Sequence, residues 1–420
     1  MRRRTFFALL GLPALVALLE SCGGDETSPA STQAVESNVA RIAAGPTEAT
    51  AAARSLDDFG VALYRKLAAV DATGNIVMSP ASIAVALTMT MAGARGNTLD
   101  EMASTLRIDD PTAIHRSMNA LTAALDALSH DDLALDIVNS LWGQAGLTFE
   151  APFLDTLAAE YGAGLEIVDY VADPEAARLA VNAWVAAATH DRISDLIAEG
   201  IFDEDTRLTL VNAIYLKATW ANQFDTEATA DGTFTTAAGD AVQLPMMTRT
   251  MQADYATGDG WQAVELGYEN SSLAMLLIVP EDGFLSLFEE TFLLSDAVPY
   301  LAPRRVSLQL PRFDIESKFG LADVLAGMGM HDAFTAAADF SGMTRAEQLQ
   351  IAAVVHQANI TVTETGTEAA AATAVVMEAT AAPVETEPIE LVVDRPFVFA
   401  VRDRATGAVL FFGRVADPRG

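Results

Sequence analysis

Cysteine is almost absent from this chain, because Cys22 is the only one among its 420 residues. A single thiol excludes any disulfide within the chain. Lysine is nearly as rare, occurring only as Lys66, Lys217 and Lys318, and acidic residues outnumber basic ones by 57 to 25. The formal net charge of -32 makes nucleic acids and heparin-like polyanions poor partners. Such a surface suits either high salt or simple solubility outside a cell.

The signatures of common catalytic sites are also lacking. No pair among the five histidines has the spacing of a helical zinc site, and no Gly-x-Ser-x-Gly elbow, phosphate-binding loop or dinucleotide fingerprint occurs. Ser79 is not the start of a Ser-x-x-Lys nucleophile, because Ser82 occupies the lysine position. Spacing alone does not exclude a dispersed Ser/His/Asp triad, whose members meet only in space. We predict that the protein is not an enzyme and uses neither a metal nor a cofactor.

The first 22 residues have the pattern of an export signal. Three arginines precede an apolar stretch from Phe6 to Leu19, which is too short for a comfortable transmembrane helix, and Leu19-Glu-Ser-Cys22 closes the segment. This ending resembles a bacterial lipoprotein signal, in which Cys22 becomes the acylated first residue of the mature protein. An ordinary secretory signal is the alternative. Either reading predicts an exported protein, anchored by lipid at the cell surface or in the periplasm, or else secreted.

Residues 23–54 are rich in small and polar residues and contain almost no large apolar ones. Such a composition cannot bury enough apolar surface to fold, so it predicts a disordered tether. From residue 55 to the end, short apolar runs such as Leu273–Pro280 and Val306–Leu310 predict strands. The stretches 82–92 and 176–188 predict helices. Helices and strands alternate without a regular βαβ repeat, so we predict one α+β domain over residues 55–420.

A low-complexity stretch near the C-terminus has features of both a loop and a strand. Counting in twos from Thr367 gives only uncharged residues as far as Met377, and the two nearby acids, Glu368 and Glu378, fall on the opposite parity. Side chains alternate along a strand, so one face of this segment is fit to enter a core. Gly366 permits the backbone rearrangement that insertion would need. An alanine-rich linker is the alternative interpretation of this stretch taken alone.

Several motifs, in order along the chain, are similar to those of the serpins, inhibitors of serine proteases. They are Asn75–Leu87 with Gly93–Thr98, Val181–Val185 with Thr189, Leu210–Lys217 with Trp220, Pro311–Phe313, the low-complexity stretch itself, and Leu391–Phe399 with Phe412–Val415. The resemblance covers about residues 55 to 417. It implies the serpin fold, in which a helical N-terminal part packs on a large central mixed β-sheet and a reactive-centre loop, here about 364–390, is exposed.

The resemblance also implies roles for individual residues. The hinge of the loop comprises Glu364, Gly366, Thr367, Glu368, Ala369, Ala370, Ala371, Ala372 and Thr373. A polar "shutter" cluster, expected beneath the sheet where its strands must part, comprises Ser79, Ser82, Asn212 and His356. Trp220 is expected at the "breach", the top of the sheet where insertion begins. For each residue alone, a satisfied core group is the alternative, and Ser79 before Pro80 is well placed as a helix N-cap.

The mechanism implied for the family is suicide inhibition. A serine protease attacks the loop and forms an acyl-enzyme, and the freed loop inserts as a new central strand before water hydrolyses the ester. The count from Glu364 puts the scissile bond at Thr380–Ala381, with an error of two residues. A small residue there favours elastase-like or subtilisin-like targets, and no Lys or Arg lies between Glu364 and Asp394 to suit a trypsin-like enzyme. A slip to Glu378–Ala379 would favour a glutamate-specific protease.

The partner predicted by this mechanism is a serine protease held in a covalent complex by a monomeric inhibitor. The alternative is a non-inhibitory serpin that acts as a binding, carrier or chaperone-like protein. Relatives of that kind tend to carry charged or bulky hinge residues, and this chain does not.

Overall fold

The computed structural model describes residues 33–131, 133–292, 294–367 and 387–420. The described helices are α1 Pro46–Val70, α2 Pro80–Met91, α3 Gly96–Thr105, α4 Ile114–Asp126, α5 Ala151–Thr156, α6 Pro174–Ala188, α7 Leu285–Thr291 and α8 Ala322–Ala326. A π-helical turn, Leu157–Tyr161, continues α5, and four short 3-10 turns occupy Thr226–Ala228, Leu294–Asp296, Val298–Tyr300 and Asp332–Phe334.

The strands form two sheets. In chain order they are β1 Gln33–Val35, β2 Ile76–Met78, β3 Leu133–Gln144, β4 Leu165–Val168, β5 Leu208–Thr219, β6 Ala230–Thr235, β7 Ala241–Gly258, β8 Trp261–Gly267, β9 Leu273–Pro280, β10 Ala302–Pro311, β11 Phe313–Gly320, β12 Ala353–Val362, β13 Gly366–Thr367, β14 Ile389–Val392, β15 Phe397–Asp403 and β16 Val409–Val415. Helices and mixed sheets in this order confirm the predicted α+β class.

Sheet A has seven strands in the order β1-β4-β3-β5-β13-β12-β11. Its central strand, β5, carries apolar side chains on both faces, because other parts of the protein cover both faces of the sheet at this point. Leu210 and Ile214 face the main core, whereas Val211 and Ala213 face a second cluster formed with α6. Successive side chains point to opposite faces, so a strand covered on both sides becomes a continuous apolar run. Sheet B has nine strands, of which eight follow the order β14-β10-β7-β8-β9-β15-β16-β2, and β6 pairs with β7.

Helix α2 lies between the two sheets, and all twelve of its residues are buried. It contacts β3 and β5 of sheet A and β16 of sheet B. Pro80 occupies its first turn, and the Ser79 hydroxyl accepts a hydrogen bond from the Ser82 amide, so Ser79 is the N-cap. The predicted helices at 82–92 and 176–188 and the predicted strands at 273–280 and 306–310 are all confirmed.

The N-terminal segment differs from its prediction as a disordered tether. Residues 33–35 form β1 on the edge of sheet A, and α1 begins at Pro46, well before the predicted domain start. The alanines of this segment form a packing face, because Ala49, Ala52 and Ala53 are fully buried and bring α1 close to the core. Residues 23–32 of the predicted tether and the signal segment 1–22 lie outside the described residues. In the part of the chain that is described, no helix has the length and apolar character needed to cross a bilayer.

Candidate functional site: the top of sheet A

The first loop residues after β12 already lie within sheet A. The chain turns at Thr363–Thr365 and comes back as β13, which pairs antiparallel with its neighbours on both sides. Thr367 lies opposite Val362 of β12 and opposite Ala218 of β5, and Gly366 lies opposite Thr219. Two residues of the predicted hinge therefore occupy the space between the two central strands.

Gly366 is required at this point by close backbone contact. A Cβ atom built on Gly366 would lie 2.1 Å from the carbonyl oxygen of Ala218, a distance that no side chain tolerates. The hinge therefore enters the sheet only with glycine at this position.

Thr367 is buried, with 1% of its surface exposed, on the face that packs on the main core. Its hydroxyl lies 2.6 Å from the phenolic oxygen of Tyr268. The Tyr268 ring stacks on Trp220 with the ring centres 4.5 Å apart. Trp220 in turn donates its indole N–H to the Thr363 carbonyl at 2.9 Å and its backbone N–H to the Thr365 carbonyl at 2.9 Å. Trp220 thus holds the hinge turn in place through these two hydrogen bonds.

Glu364 is a buried carboxylate at the start of the hinge, with 4% of its surface exposed. Arg312 donates to its Oε1 from Nε at 2.8 Å and from Nη2 at 2.6 Å, and the Thr229 hydroxyl donates to the same oxygen at 2.6 Å. Burial would raise the pKa of Glu364, but the hydrogen bonds from Arg312 and Thr229 outweigh burial and hold that pKa below its ordinary value. The carboxylate is therefore charged and bound at neutral pH.

Below the hinge, sheet A is closed. Strands β5 and β12 pair directly and parallel over six residues, from Thr209 opposite Ala353 to Ile214 opposite Ala358. Any further insertion of the loop has to separate these strands along this ladder.

The four predicted shutter residues meet at this ladder. His356 lies opposite Asn212 in the register of β12 and β5, and the N-terminus of α2 brings Ser79 and Ser82 to the same place. The Ser79 backbone N–H donates to His356 Nε2 at 3.0 Å, and Asn212 Nδ2 donates to Ser82 Oγ at 2.6 Å. All four residues are buried. One hydrogen-bonded chain therefore joins α2 to both central strands.

His356 is neutral in this cluster. Its Nε2 accepts a hydrogen bond from Ser79, so its proton lies on Nδ1, which donates to the Asn212 side-chain oxygen. Complete burial lowers the pKa of His356 to about 3. Protonation of Nε2 would set two donors against each other, so charging this histidine breaks the link between α2 and β12.

Sequence reasoning missed several residues of the site. Asn139 on β3 lies opposite Asn212, and its side-chain oxygen accepts hydrogen bonds from both Asn212 and Ser82. Tyr268 gave no signal at all. Arg312 is the middle residue of the Pro-Arg-Phe motif at 311–313, so its importance was indicated, but its partner Glu364 lies 52 residues away.

Other predicted site residues fall outside the described part of the chain. They are Cys22, Glu368, Ala369, Ala370, Ala371, Ala372, Thr373 and the scissile pair Thr380 and Ala381. Among the described residues, no group of three His, Cys, Asp or Glu side chains is arranged to hold a metal ion.

Comparison with known proteins gives consistent matches along the chain. Residues 54–418 match the family model described as serpin (serine protease inhibitor). An uncharacterised serpin-like protein of Thermococcus kodakarensis is 36% identical over 87% of this chain and 85% of its own length. The leukocyte elastase inhibitors of Xenopus tropicalis and Bos taurus are 34% and 35% identical, each over 86% of this chain and 97% of the relative.

Solved structures show the same architecture. Human thyroxine-binding globulin in complex with its hormone superimposes with a TM-score of 0.79, at 27% identity, over 89% of this chain and all of that one. Uncleaved ovalbumin superimposes with a TM-score of 0.78 over 87% of this chain and all of that one, and at 24% identity this likeness concerns the fold.

Proposed function

This chain belongs to the serpin family, and from that premise we propose that it is a suicide-substrate inhibitor of serine proteases. In this proposal the protease cleaves the loop and remains attached as an acyl-enzyme. The freed loop then inserts into sheet A between β5 and β12 and carries the protease with it. Displacing the catalytic groups of the protease by an ångström or more slows hydrolysis of the acyl-enzyme by orders of magnitude.

The observation that carries this proposal is the position of β13. Thr367 pairs with β5 and β12 at once and Gly366 pairs with β5, so the sheet accepts loop residues in the register that further insertion would continue. Thr367 is the first residue of the uncharged face that the sequence predicts, and its side chain is buried. Insertion replaces one six-residue parallel ladder with two antiparallel ladders, which adds strand pairing that the native state lacks.

The hydrogen bonds of the shutter cluster have to rearrange when the parallel ladder is replaced by two antiparallel ladders. When β5 and β12 separate, the hydrogen bond between His356 and Asn212 has to break, because each residue lies on one of the two strands. A buried polar group that loses its partner costs about 1–3 kcal/mol, so the cluster holds the sheet closed until cleavage frees the loop. No catalytic residue of the inhibitor takes part in this mechanism.

The proposed targets are proteases with a small S1 pocket, cleaving at Thr380–Ala381. The absence of Lys and Arg from Glu364 to Asp394 argues against trypsin-like targets. The similarity to leukocyte elastase inhibitors of vertebrates supports this choice of specificity. A glutamate-specific protease stays the alternative if the register lies at Glu378–Ala379.

We further propose that the protein is exported and that Cys22 is acylated. The support is the arginine-rich start, the apolar stretch and the small residue before the single cysteine. An acylated Cys22 would keep a monomeric inhibitor at a membrane surface.

A binding protein is the second candidate, favoured by the similarity to thyroxine-binding globulin in its complex with thyroxine. An open groove of about 450 Å³ lies between the β7–β8 turn and α7, lined by Trp261, Phe284, Leu287, Phe288 and Phe292. Phe284 and Leu287 are 45% and 55% exposed there. A small apolar molecule is the ligand that this groove would accept.

One experiment distinguishes a protease inhibitor from a binding protein. The purified protein is mixed with an elastase or a subtilisin and analysed in denaturing detergent after boiling. Inhibition predicts a band of combined mass, together with a small C-terminal fragment whose first residue, read by mass spectrometry, gives the cleaved bond. The same protease with its catalytic serine replaced by alanine is the control and gives no such band. Clean cleavage without a stable complex favours the binding protein.

A further inference from the structure

The groove between the β7–β8 turn and α7 has one side that is fixed by backbone hydrogen bonds. Gly260 in this turn has a φ of 77°, and its carbonyl accepts the Glu281 N–H at 2.8 Å, which ties the turn to the segment that leads into α7. The N–H of Phe284, the residue before α7, donates to the Glu281 carbonyl at 3.0 Å. A Cβ atom built on Gly260 would lie 3.4 Å from the Phe284 ring, so this ring is held beside the turn.

The other rings of the groove form a connected set. Trp261 meets Phe292 edge to face with the ring centres 5.6 Å apart, and Phe292 stacks on Phe288 at 4.2 Å. Phe284 and Leu287 stay 45% and 55% exposed although both are large and apolar. An exposed apolar patch of this kind, bordered by polar residues, is typical of a binding site.

Two carboxylates lie among these apolar side chains. Asp259 belongs to the β7–β8 turn and Asp296 to the 3-10 turn that follows α7, and both line the groove. Among the described residues that line it, none is basic. A ligand that covers the groove removes water from both carboxylates, so a neutral ligand leaves their charge without compensation and an anion is repelled. The charge of the groove therefore favours a cation.

The size and the aromatic lining narrow the kind of cation. The volume of about 450 Å³ is far larger than a metal ion needs and lies in the range of small-molecule sites. The faces of aromatic rings carry negative charge and attract ammonium groups, and quaternary ammonium ligands are bound in proteins by sets of such rings. Both observations point to an organic cation.

We propose that this groove binds an organic cation, an ammonium group with alkyl or aryl substituents that lies against the aromatic rings and close to Asp259 and Asp296. The proposal narrows the ligand of the second candidate function from any small apolar molecule to one that carries a positive charge. It concerns a surface that the inhibitory mechanism does not use, so it holds whether or not the protein also traps proteases.

The first test compares two ligands of the same shape on the full-length protein. They are benzyl(2-hydroxyethyl)dimethylammonium and 3,3-dimethyl-4-phenylbutan-1-ol, in which carbon replaces the charged nitrogen. In isothermal titration calorimetry at low ionic strength, we expect the cation to bind at least about fivefold more tightly, and this advantage to shrink in about 0.5 M salt, which screens the carboxylates. Equal affinities, tighter binding of the alcohol, or no binding of the cation would overturn the proposal.

The second test removes one negative charge. Asp259→Asn changes an exposed side chain and is expected to weaken binding of the cation about threefold or more while leaving that of the alcohol unchanged. Asp109→Asn is the matched control, because Asp109 is also exposed but lies outside the groove, between α3 and α4. The same affinity for the cation in both variants would count against the proposal.

The third test removes a ring but keeps an apolar side chain. Phe284→Leu is expected to weaken the cation more than the alcohol, because leucine has no aromatic face. Leu287→Ala is the control, since it removes apolar surface without removing a ring and should weaken both ligands by the same factor. Equal losses for the two ligands in Phe284→Leu would contradict a contact between the cation and this ring.

The groove and the proposed inhibition fail separately. A wild-type protein that forms the detergent-stable complex with protease but does not prefer the cation refutes only the groove proposal. A protein that forms no such complex but binds the cation selectively refutes inhibition and supports the binding protein.

Discussion

Arg312 and Glu364, 52 residues apart, form the ion pair that fixes the hinge to the top of sheet A. Glu364 is buried and Arg312 is partly exposed. The Arg312 guanidinium therefore provides most of the interaction that offsets the cost of removing the Glu364 carboxylate from water. The Glu364 carbonyl also accepts the Phe224 N–H at 2.8 Å, which fixes the backbone of the same residue. The position at which the loop leaves β12 is thereby set from two sides.

The first prediction concerns the negative charge that Glu364 contributes to this ion pair. Glu364→Lys would put two positive charges together in a buried position, at a cost of about 3–5 kcal/mol. We expect the hinge to leave the top of the sheet, the melting temperature to fall by several degrees, and the protein to associate on warming through the opened strands. Calorimetry and size-exclusion chromatography after mild heating measure both effects.

The reversed pair is the control for that experiment. Glu364→Arg combined with Arg312→Glu restores opposite charges and is expected to recover at least part of the lost stability. If the double variant is as unstable as Glu364→Lys, the packing at this position is decisive and the charges are not.

The second prediction concerns the face of the loop that becomes buried. Thr367→Arg would force a charge against Tyr268, whose ring stacks on Trp220, and this burial costs several kcal/mol. If the proposed function holds, we expect the fold to persist while the protein becomes a substrate, cleaved with little or no stable complex. Glu368→Arg is the matched control, because alternation puts that residue on the opposite face, and it should still trap protease. Trapping by Thr367→Arg would mean that the buried face is wrongly assigned.

The third prediction is a pH dependence. The pKa of His356 is lowered by burial from 6.5 to about 3 in the folded protein. The unfolded chain therefore binds more protons than the native one below pH 6.5, and stability is lost as the pH falls from there towards 3. At pH 5 this amounts to about 2 kcal/mol. We expect the urea midpoint of the wild-type protein to fall more steeply over this interval than that of His356→Gln.

Other buried groups do not obscure this comparison. Burial lowers the pKa of His115 to about 4 and raises that of Asp57 to about 7, but both groups are present in both proteins and their contributions cancel. His331→Gln, at an exposed position, controls for the substitution itself. Parallel curves for the wild-type protein and His356→Gln would show that His356 does not carry the effect.

The fourth prediction concerns Asn139, which accepts hydrogen bonds from both Ser82 and Asn212. Asn139→Ala leaves two donors near the core without their acceptor, so we expect a loss of about 1–3 kcal/mol in unfolding free energy. The loosened cluster should also insert the cleaved loop faster. Asn222→Ala, at an exposed position shortly after β5, is the control and should change stability by less than about 0.5 kcal/mol. Equal stability of the two variants would exclude Asn139 from the cluster.

The sequence by itself determined the family, the α+β class and the elements whose signal is local. Ser79 and Pro80 start α2 because capping depends on neighbouring residues, and β9 was recognised because eight consecutive apolar residues fit a strand buried on both faces. Gly366 and the parity of Thr367 were likewise readable, since they depend only on the chemistry and the alternation of the chain itself.

Only the tertiary structure decided the partners that lie far apart in the chain. Nothing near Glu364 indicates Arg312, and nothing near Asn212 indicates Asn139, because such pairs follow from sheet register and the close packing of the two sheets. The error at the N-terminus has the same origin. Small side chains give no amphipathic signal, yet Ala49, Ala52 and Ala53 are the residues that let α1 pack closely. Residues 33–45 are held by long-range contacts, because β1 pairs with the edge strand β4 and the buried Asn119 of α4 donates to the Ile42 carbonyl.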